Sequence, residues 1–211
     1  MAKIPEREEI KAICDARFSS RVYEKMQHAS VAIAGLGGLG SNVAVMLART
    51  GIGRLKLVDF DYVELSNLNR QVYDIRHLGR KKTEALAERL REIAPYIQLE
   101  LCDQRVTEDN ALEIFKDECY ICEAFDRPEA KAMLAEQVLT EIPGAFLIAA
   151  SGMAGFGDAG EIHTRKVNDH FFLCGDEVTD LAPGNGLMAP RVAVCAGHQA
   201  NKIIQLILKE R

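Results

Sequence analysis

The stretch VAIAGLGGLGSN, Val31 to Asn42, decides the fold. It predicts a short apolar strand, a glycine-rich turn and the start of a helix, the order found in dinucleotide-binding βαβ units. Gly35, Gly37 and Gly40 take the three positions of a G-x-G-x-x-G motif, with Gly38 between them. The glycines let the backbone approach a phosphate, and the helix N-terminus offers free N–H groups to the anion. The motif therefore predicts a nucleotide, without saying which one.

Apolar strand patterns alternate with helical patterns along the rest of the chain. The strands are predicted at 31–34, 54–59, 97–102, 120–124 and 145–150. One or two helices are predicted at 4–27, and single helices at 41–50, 83–94, 109–115, 128–139 and 190–208. A further strand at 161–167 alternates as an antiparallel strand does, and 173–187 is predicted to be a long irregular segment. We expect an α/β, Rossmann-like sheet that is mostly parallel, with antiparallel strands toward the C-terminal half and helices on both faces.

The bulk composition narrows the class of protein. The chain has 211 residues, of which 48% are hydrophobic and 27% charged, with a net charge of −5. This predicts one soluble domain, 1–211, with a helical segment at 1–28 ahead of a core at 29–211, and it argues against binding to nucleic acid or to a membrane. Neither a secretory signal nor a membrane-spanning run is visible, so we expect a cytoplasmic location and reduced cysteines.

The segment after the second strand bears on the choice between NAD and a triphosphate. Asp59 ends that strand, where a carboxylate can bind ribose hydroxyls. The chain then continues as DFDYVELSNLNRQVYDIRHLGRKKTEA, residues 59–85, with no obvious helix before about Lys81. A loop this rich in arginine and lysine beside a phosphate site suits a triphosphate better than a dinucleotide. The G-x-x-x-x-G-K-[ST] motif of Walker-type NTPases is absent from the sequence.

Taken together, GLGGLGSN, DFDYVELSNLNRQ, GRKKTEA, EAFDR and GLMAPR resemble the ThiF/MoeB/HesA family over roughly residues 17–209. The family comprises the bacterial relatives of ubiquitin-activating enzymes. The resemblance implies that ATP and magnesium are used to adenylate the C-terminal glycine of a ubiquitin-like sulfur carrier protein with a Gly-Gly tail. The short length of the chain and the stretches EAFD, ASGMAG and LCGD look most like the short ThiF branch, which acts on the thiamine sulfur carrier ThiS.

The resemblance also implies roles for polar residues around the nucleotide. Asp59 would bind the ATP ribose, and Asp61 would either assist it or hold a turn. Asn67 and Arg70 match the S-N-L-x-R block and would contact the phosphates, for which the planar guanidinium of arginine is suited. Lys82 would neutralise charge at the α- or β-phosphate, although a slip of one residue would give that place to Lys81.

Two further roles concern the metal and a second subunit. Asp126, in EAFDR, matches the family aspartate that holds magnesium, and one carboxylate is enough because magnesium takes other ligands from phosphate and water. An arginine of the N-terminal segment reaches the partner subunit's ATP in this family. Arg21 is the better match here and Arg17 the alternative, which implies a homodimer.

The cysteines suggest one reactive thiol and no zinc. Cys119 and Cys122 form the single C-x-x-C pair, and strand alternation puts them on opposite faces, a poor geometry for chelation. Cys174 lies where relatives have a crossover segment that meets the carrier tail. We expect it to be accessible, and a sulfur-transfer role through an acyl disulfide is a hypothesis. Gly184 and Gly186 would make the segment after it pliable enough to close over an extended peptide.

Other functions remain open at this point. Within the enzyme class, the carrier could serve molybdopterin instead, and a relative that activates a tRNA-bound carboxylate exists. An NAD-dependent oxidoreductase is disfavoured by SNLNRQ and by the lack of room for a separate substrate domain. A catalytically idle nucleotide-binding module is disfavoured because suitable residue types stand at all the ATP positions.

Overall fold

The computed structural model describes residues 4–180 and 186–209. The helices are α1 (Arg7–Phe18), α2 (Ser20–His28), α3 (Gly38–Arg49), α4 (Lys82–Ile93), α5 (Glu108–Phe115), α6 (Pro128–Glu141) and α7 (Ala189–Lys209). The strands are β1 (Ser30–Ala34), β2 (Arg54–Val58), β3 (Gln98–Cys102), β4 (Tyr120–Glu123), β5 (Phe146–Ala150), β6 (His163–Lys166) and β7 (Phe171–Gly175). Short 3₁₀ turns lie at Leu65–Asn67, Ile75–His77 and Ala159–Glu161.

The strands form one sheet in the order β3-β2-β1-β4-β5-β7-β6. All neighbours pair in parallel except β6, which pairs antiparallel with β7 at the edge. The predicted α/β class, with a mostly parallel sheet and an antiparallel pair near the C-terminal end, is therefore confirmed. The strand order changes direction between β1 and β4, and ligands of such sheets bind at the carboxyl ends of the strands beside that point.

Helices cover both faces of the sheet because each carries apolar residues at helical spacing. On one face, Val43 and Leu47 of α3 and Leu86 and Leu90 of α4 are fully buried at i, i+4 spacing. Helix α7 buries a stripe on the same face: Cys195, Gln199, Ile203 and Ile207. On the other face, α5 and α6 pack their buried side chains against the sheet: Ile114, Phe115, Leu134 and Val138.

The structure differs from the sequence-based prediction in the segment 173–187, and it decides how many helices lie near the N-terminus. The N-terminal pattern is two helices, because the chain breaks at Ser19, whose φ is 88°. The segment 173–187 is not irregular from its start, since Leu173 to Gly175 complete β7. The apolar run FFLC reads equally well as a buried strand, and it pairs with both β5 and β6. Residues 181–185, with Gly184, lie outside the described residues.

Across the described ranges, the structure contains no helix that is both long enough and apolar enough to cross a bilayer.

Candidate functional site

The glycine loop packs at the switch point as the motif requires. Gly35 has φ 92°, and a Cβ there would lie 2.8 Å from the Ala124 carbonyl oxygen at the end of β4. A Cβ on Gly40 would collide with the Gly35 carbonyl oxygen, so this glycine lets α3 start against the loop. At Gly37 the nearest atom to an added Cβ is 3.9 Å away, which leaves room beside the backbone. Two glycines therefore serve packing, and the third leaves the loop open to a ligand.

Asp59 ties the end of β2 to this loop. Its Oδ2 accepts a hydrogen bond from the Leu36 N–H at 2.7 Å, and its Oδ1 accepts one from the Asp61 N–H at 2.8 Å. Burial raises the pKa of Asp59, while the nearby Lys82 ammonium and the two N–H donors oppose the rise. Each oxygen retains a further lone pair, so the carboxylate can shape the loop and still accept ribose hydroxyls.

Lys82 faces the site and Lys81 does not. Lys82 is the first residue of α4, and its Nζ lies 3.0 Å from Asp61 Oδ2 and 4.0 Å from Asp59 Oδ2. Its side chain is only 8% exposed. Lys81 pairs instead with Asp103 on the outer side. The structure thus removes the ambiguity between the two lysines, because helix geometry turns successive residues to different faces.

The SNLNR block forms a compact turn beside the loop. Asn67 is buried, and its Oδ1 accepts a hydrogen bond from the Glu64 N–H at 3.0 Å, so this side chain stabilises the turn. Arg70 Nη1 donates to the Ser66 carbonyl at 3.0 Å and to Asn69 Oδ1 at 2.8 Å. Arg70 Nε is buried and has no hydrogen-bond partner among the described residues. The Arg70 guanidinium is partly buried and has an unused donor, so it is suited to an anionic ligand.

Arg70 also lines a cavity of about 400 Å³ between the 68–72 segment and the start of α7. Its walls include Asn42, Asn69, Gln71, Ala189 and Pro190. Gln71, one of these residues, has a buried side-chain oxygen, Oε1, without a hydrogen-bond partner among the described residues. The cavity therefore joins Arg70 to the first turn of α7.

The turn after β4 separates two acidic residues with different surroundings. Glu123 is buried, and Lys131 Nζ lies 3.0 Å from its Oε2. Burial raises the pKa of Glu123 against the Lys131 charge, and its Oε1 accepts a hydrogen bond from the Phe125 N–H. Asp126 is exposed at the end of this turn. Glu123 is thus a support for the turn, which leaves Asp126 as the carboxylate able to meet a cation. Groups of three or more metal-binding side chains are not found in the described residues.

Arg21 and Arg17 lie exposed on α2 and α1. Neither has a hydrogen bond or ion pair within the described part of this chain. Their exposure leaves them free to reach a second subunit, and the role across a dimer stays a prediction.

The expectation that Cys174 is accessible is wrong. Cys174 lies on β7, between β5 and the edge strand β6, and has no exposed surface. Burial raises the pKa of its thiol to about 11, although a hydrogen bond with Thr164 acts in the opposite direction. A buried thiol with a high pKa is a poor nucleophile, so this geometry disfavours the sulfur-transfer hypothesis. Cys119 is exposed and Cys122 buried, which agrees with the predicted opposite faces.

We expect Cys174 to resist alkylation in the native protein while Cys119 reacts. A pKa about two above the ordinary value leaves roughly 100-fold less thiolate, and burial slows the reaction further. Iodoacetamide labelling followed by peptide mass mapping, with and without denaturant, measures this. Equal labelling rates for the two cysteines in the native protein would show that Cys174 is accessible after all.

Sequence reasoning gave no role to two residues that hold the site together. The Tyr73 hydroxyl is buried and donates to the carbonyl of Leu36, a residue of the glycine loop, at 2.9 Å. Asn42 Nδ2 donates to the carbonyls of Gly38 at 2.7 Å and Arg70 at 3.1 Å, which links α3 to the arginine turn. The sequence held no signal that separates Tyr73 from Phe60 and Tyr62, the other aromatic residues of the segment.

A buried ion pair lies directly after the carboxyl end of β7. Arg191, in the first turn of α7, is 3% exposed and pairs with Asp176, which follows β7. Desolvation would raise the pKa of Asp176, but hydrogen bonds from Thr179, Val178 and Arg191 outweigh it and lower the pKa to about 2. The sequence singled out GLMAPR as a motif without a role for its arginine.

The lowered pKa of Asp176 predicts a specific acid sensitivity. Its stabilising contribution is present above the unfolded value near 3.8 and is lost as the pH falls toward 2. The difference corresponds to roughly 2 kcal/mol. The free energies of unfolding in urea of the unmodified chain and of Asp176→Asn should therefore differ at about pH 6. This difference should shrink by about that amount as the pH is lowered to about 2. A gap that stays constant across this range would contradict the assignment.

The family of the chain follows from comparisons with known proteins. The model of the ThiF family matches residues 11–211. The tRNA threonylcarbamoyladenosine dehydratase of Escherichia coli is 35% identical over 154 residues, which are 71% of this chain and 56% of that protein. The adenylyltransferase and sulfurtransferase uba4 of Emericella nidulans is 30% identical over 197 residues, which are 87% of this chain and 40% of that protein.

Solved structures show the same fold. The E. coli dehydratase in complex with AMP superposes with a TM-score of 0.84 at 24% identity, and 98% of each chain is covered. Its complex with ATP gives the same TM-score and identity, covering 98% of this chain and 97% of that one. This chain spans about half the length of the two curated relatives. Since the family model covers nearly all of it, the chain belongs to the ThiF family.

Proposed function

We propose that the chain is an ATP-dependent adenylyltransferase that activates the C-terminal glycine carboxylate of a ubiquitin-like sulfur carrier protein, the thiamine carrier, in the cytoplasm. The convergence of Asp59, Lys82 and the glycine loop carries the proposal, because Lys82 lies 4.0 Å from an Asp59 carboxylate that is itself bonded to Leu36. The ATP and AMP complexes of the dehydratase, which has the same fold, support the choice of nucleotide.

The residues present fit ATP. The open backbone at Gly37 and the N-terminus of α3 can receive phosphate oxygens. Arg70 has an unused buried donor, and Lys82 supplies a second cation. Asp59 can accept the ribose hydroxyls. When bound, ATP supplies the adenylyl group that the carrier carboxylate takes up as pyrophosphate leaves.

The protein's part in this reaction would be positioning and charge neutralisation. Arg70 and Lys82 would balance the negative charge that develops on the phosphates. Asp126 would hold magnesium, in keeping with its exposed place at the carboxyl end of β4. Arg21 of the partner subunit would complete each site in a homodimer, which makes the protein a dimer with two composite sites.

ATP–pyrophosphate exchange tests the proposal. We expect purified chain, ATP and magnesium to exchange labelled pyrophosphate only when the thiamine carrier with its Gly-Gly end is added. The same carrier lacking its last glycine is the control and should give no exchange. Exchange with the molybdopterin carrier instead would assign the chain to a different pathway but would leave the proposed reaction unchanged. Binding of NAD with no effect of ATP would overturn the proposal.

A second candidate is activation of a carboxylate on tRNA. The dehydratase relative favours it, since that protein is named for threonylcarbamoyladenosine in tRNA and is 35% identical over 154 residues. The net charge of −5 speaks against it, because tRNA binding draws on a cationic surface. Exchange that depends on modified tRNA, and not on a carrier protein, would establish this second function.

A further inference from the structure

The backbone of Leu36, between Gly35 and Gly37, is held at both of its polar groups. Its N–H donates to Asp59 Oδ2 at 2.7 Å, and its carbonyl oxygen accepts a hydrogen bond from the Tyr73 hydroxyl at 2.9 Å. The Leu36 side chain has no exposed surface. The two peptides that meet at Leu36 therefore have separate supports, one at the end of β2 and one in the connection between β2 and α4.

Tyr73 is itself fixed in the core. It is buried, and its ring packs edge-on against the buried ring of His77, with the two centroids 6.1 Å apart. His77 Nδ1 in turn accepts a hydrogen bond from the Asp74 N–H at 3.0 Å. Burial and the nearby charge of Asp59 raise the pKa of Tyr73 well above its ordinary value. The hydroxyl thus stays protonated and remains a hydrogen-bond donor to Leu36.

The position of the Tyr73 hydroxyl sets the direction of the Gly37 N–H. The Leu36 carbonyl and the Gly37 N–H belong to one planar peptide, and no peptide bond among the described residues is cis. In a planar trans peptide these two groups point to opposite sides. Since the carbonyl faces Tyr73, the Gly37 N–H points away from it. This N–H has no acceptor within the described part of the chain, and Gly37 is partly exposed while Leu36 is buried.

We propose that Tyr73 is a positioning residue that orients the Leu36–Gly37 peptide and so presents the Gly37 N–H to a phosphate of the bound nucleotide. This role rests on the proposed function, which puts the ATP phosphates at the glycine loop. Helix α3 begins directly after Gly37, and no side chain caps its first N–H groups. Because Tyr73 is buried and its hydroxyl is bonded to Leu36, it acts through this peptide without touching the nucleotide.

Tyr73→Phe and Tyr96→Phe form a matched pair for the test. The Tyr96 hydroxyl also donates to a backbone carbonyl, that of Pro5 at 3.0 Å, which lies outside the glycine loop. We expect Tyr73→Phe to raise the Kd for ATP with magnesium at least about fivefold, because a hydrogen bond to a charged phosphate is lost or misaligned. Its Kd for adenosine, which has no phosphate, should stay within about twofold. Tyr96→Phe should leave both constants within about twofold, as measured by isothermal titration calorimetry.

Residual dipolar couplings of the backbone N–H groups give a second readout, which needs no nucleotide. In free Tyr73→Phe the coupling of the Gly37 N–H should differ from its value in the unmodified chain, because the Leu36 carbonyl has lost its donor. The coupling of the Leu36 N–H should stay the same, since Asp59 still holds this group. Tyr96→Phe should change neither coupling. Phenylalanine keeps the ring that packs against His77, so we expect the fold to persist.

Failure of the proposed function and failure of this role give different results. If the unmodified chain does not bind ATP, the proposed function fails, and the Gly37 coupling alone then decides whether Tyr73 orients the peptide. An unchanged Gly37 coupling in Tyr73→Phe would overturn the role of Tyr73. Equal losses of affinity for ATP and for adenosine would also overturn it, because they would show a general disturbance of the site.

Discussion

Replacing Arg70 with alanine is expected to lower carrier-dependent ATP–pyrophosphate exchange by about 10²–10³-fold, the cost typical of removing one preorganised charged donor from a transition state. Arg70 is the side chain beside the glycine loop whose Nε is buried and unpartnered within the described residues. Its Nη1 is held by Ser66 and Asn69, so the guanidinium is oriented before a ligand arrives. Preorganisation of this kind is what makes a donor costly to lose.

Arg76→Ala is the matched control for Arg70→Ala. Arg76 lies on the same connecting segment, is 65% exposed and pairs only with Asp74 among the described residues. It should leave exchange within about twofold of the unmodified chain, because an exposed pair contributes little. Arg70→Lys should recover only part of the activity, since an ammonium cannot reproduce the planar fork. Equal losses for Arg70→Ala and Arg76→Ala would show that general positive charge is what matters.

The arrangement of the glycine loop and Asp59 was predictable because its determinants are local in sequence. Gly35, Gly37 and Gly40 lie within one strand–turn–helix unit, and Asp59 ends the next strand. Parallel strands bring such ends to one edge without further information. The lysine that faces inward was ambiguous from sequence only because the start of α4 was uncertain by one residue, and that start fixes which lysine points at Asp59.

The contacts around Cys174 and Arg191 were not predictable in the same way, because they join residues distant in sequence. Cys174 directly precedes a polar segment, which suggested an accessible thiol, but it pairs within the sheet and packs in the same core as α7. Arg191 contacts Asp176 and Asp158, and these three residues belong to three separate segments of the chain. Asn67 matches a ligand-binding block, yet its oxygen caps the Leu65–Asn67 turn, which a motif cannot reveal.

Lys82→Met should also reduce ATP–pyrophosphate exchange by about 10²–10³-fold. Unlike Arg70→Ala, it should in addition change the pKa of Asp59. Methionine keeps much of the length and apolar packing of the stem but removes the cation 3.0 Å from Asp61 and 4.0 Å from Asp59. The pKa of Asp59, already raised by burial, should rise further because Lys82 is the main influence that lowers it. Titration of Asp59 followed by carboxyl NMR measures that shift directly.

Lys81→Met provides the decisive comparison, since it differs from Lys82→Met by one position in the chain. Lys81 pairs with Asp103, away from Asp59, and both partners are more than one-third exposed. Its removal should change exchange by less than about twofold and unfolding free energy by less than about 1 kcal/mol. Lys82→Met should cost about 1–3 kcal/mol, because it leaves a buried carboxylate without its cation. If Lys81→Met abolished exchange and Lys82→Met did not, the helix start that places Lys82 in the site would be wrong.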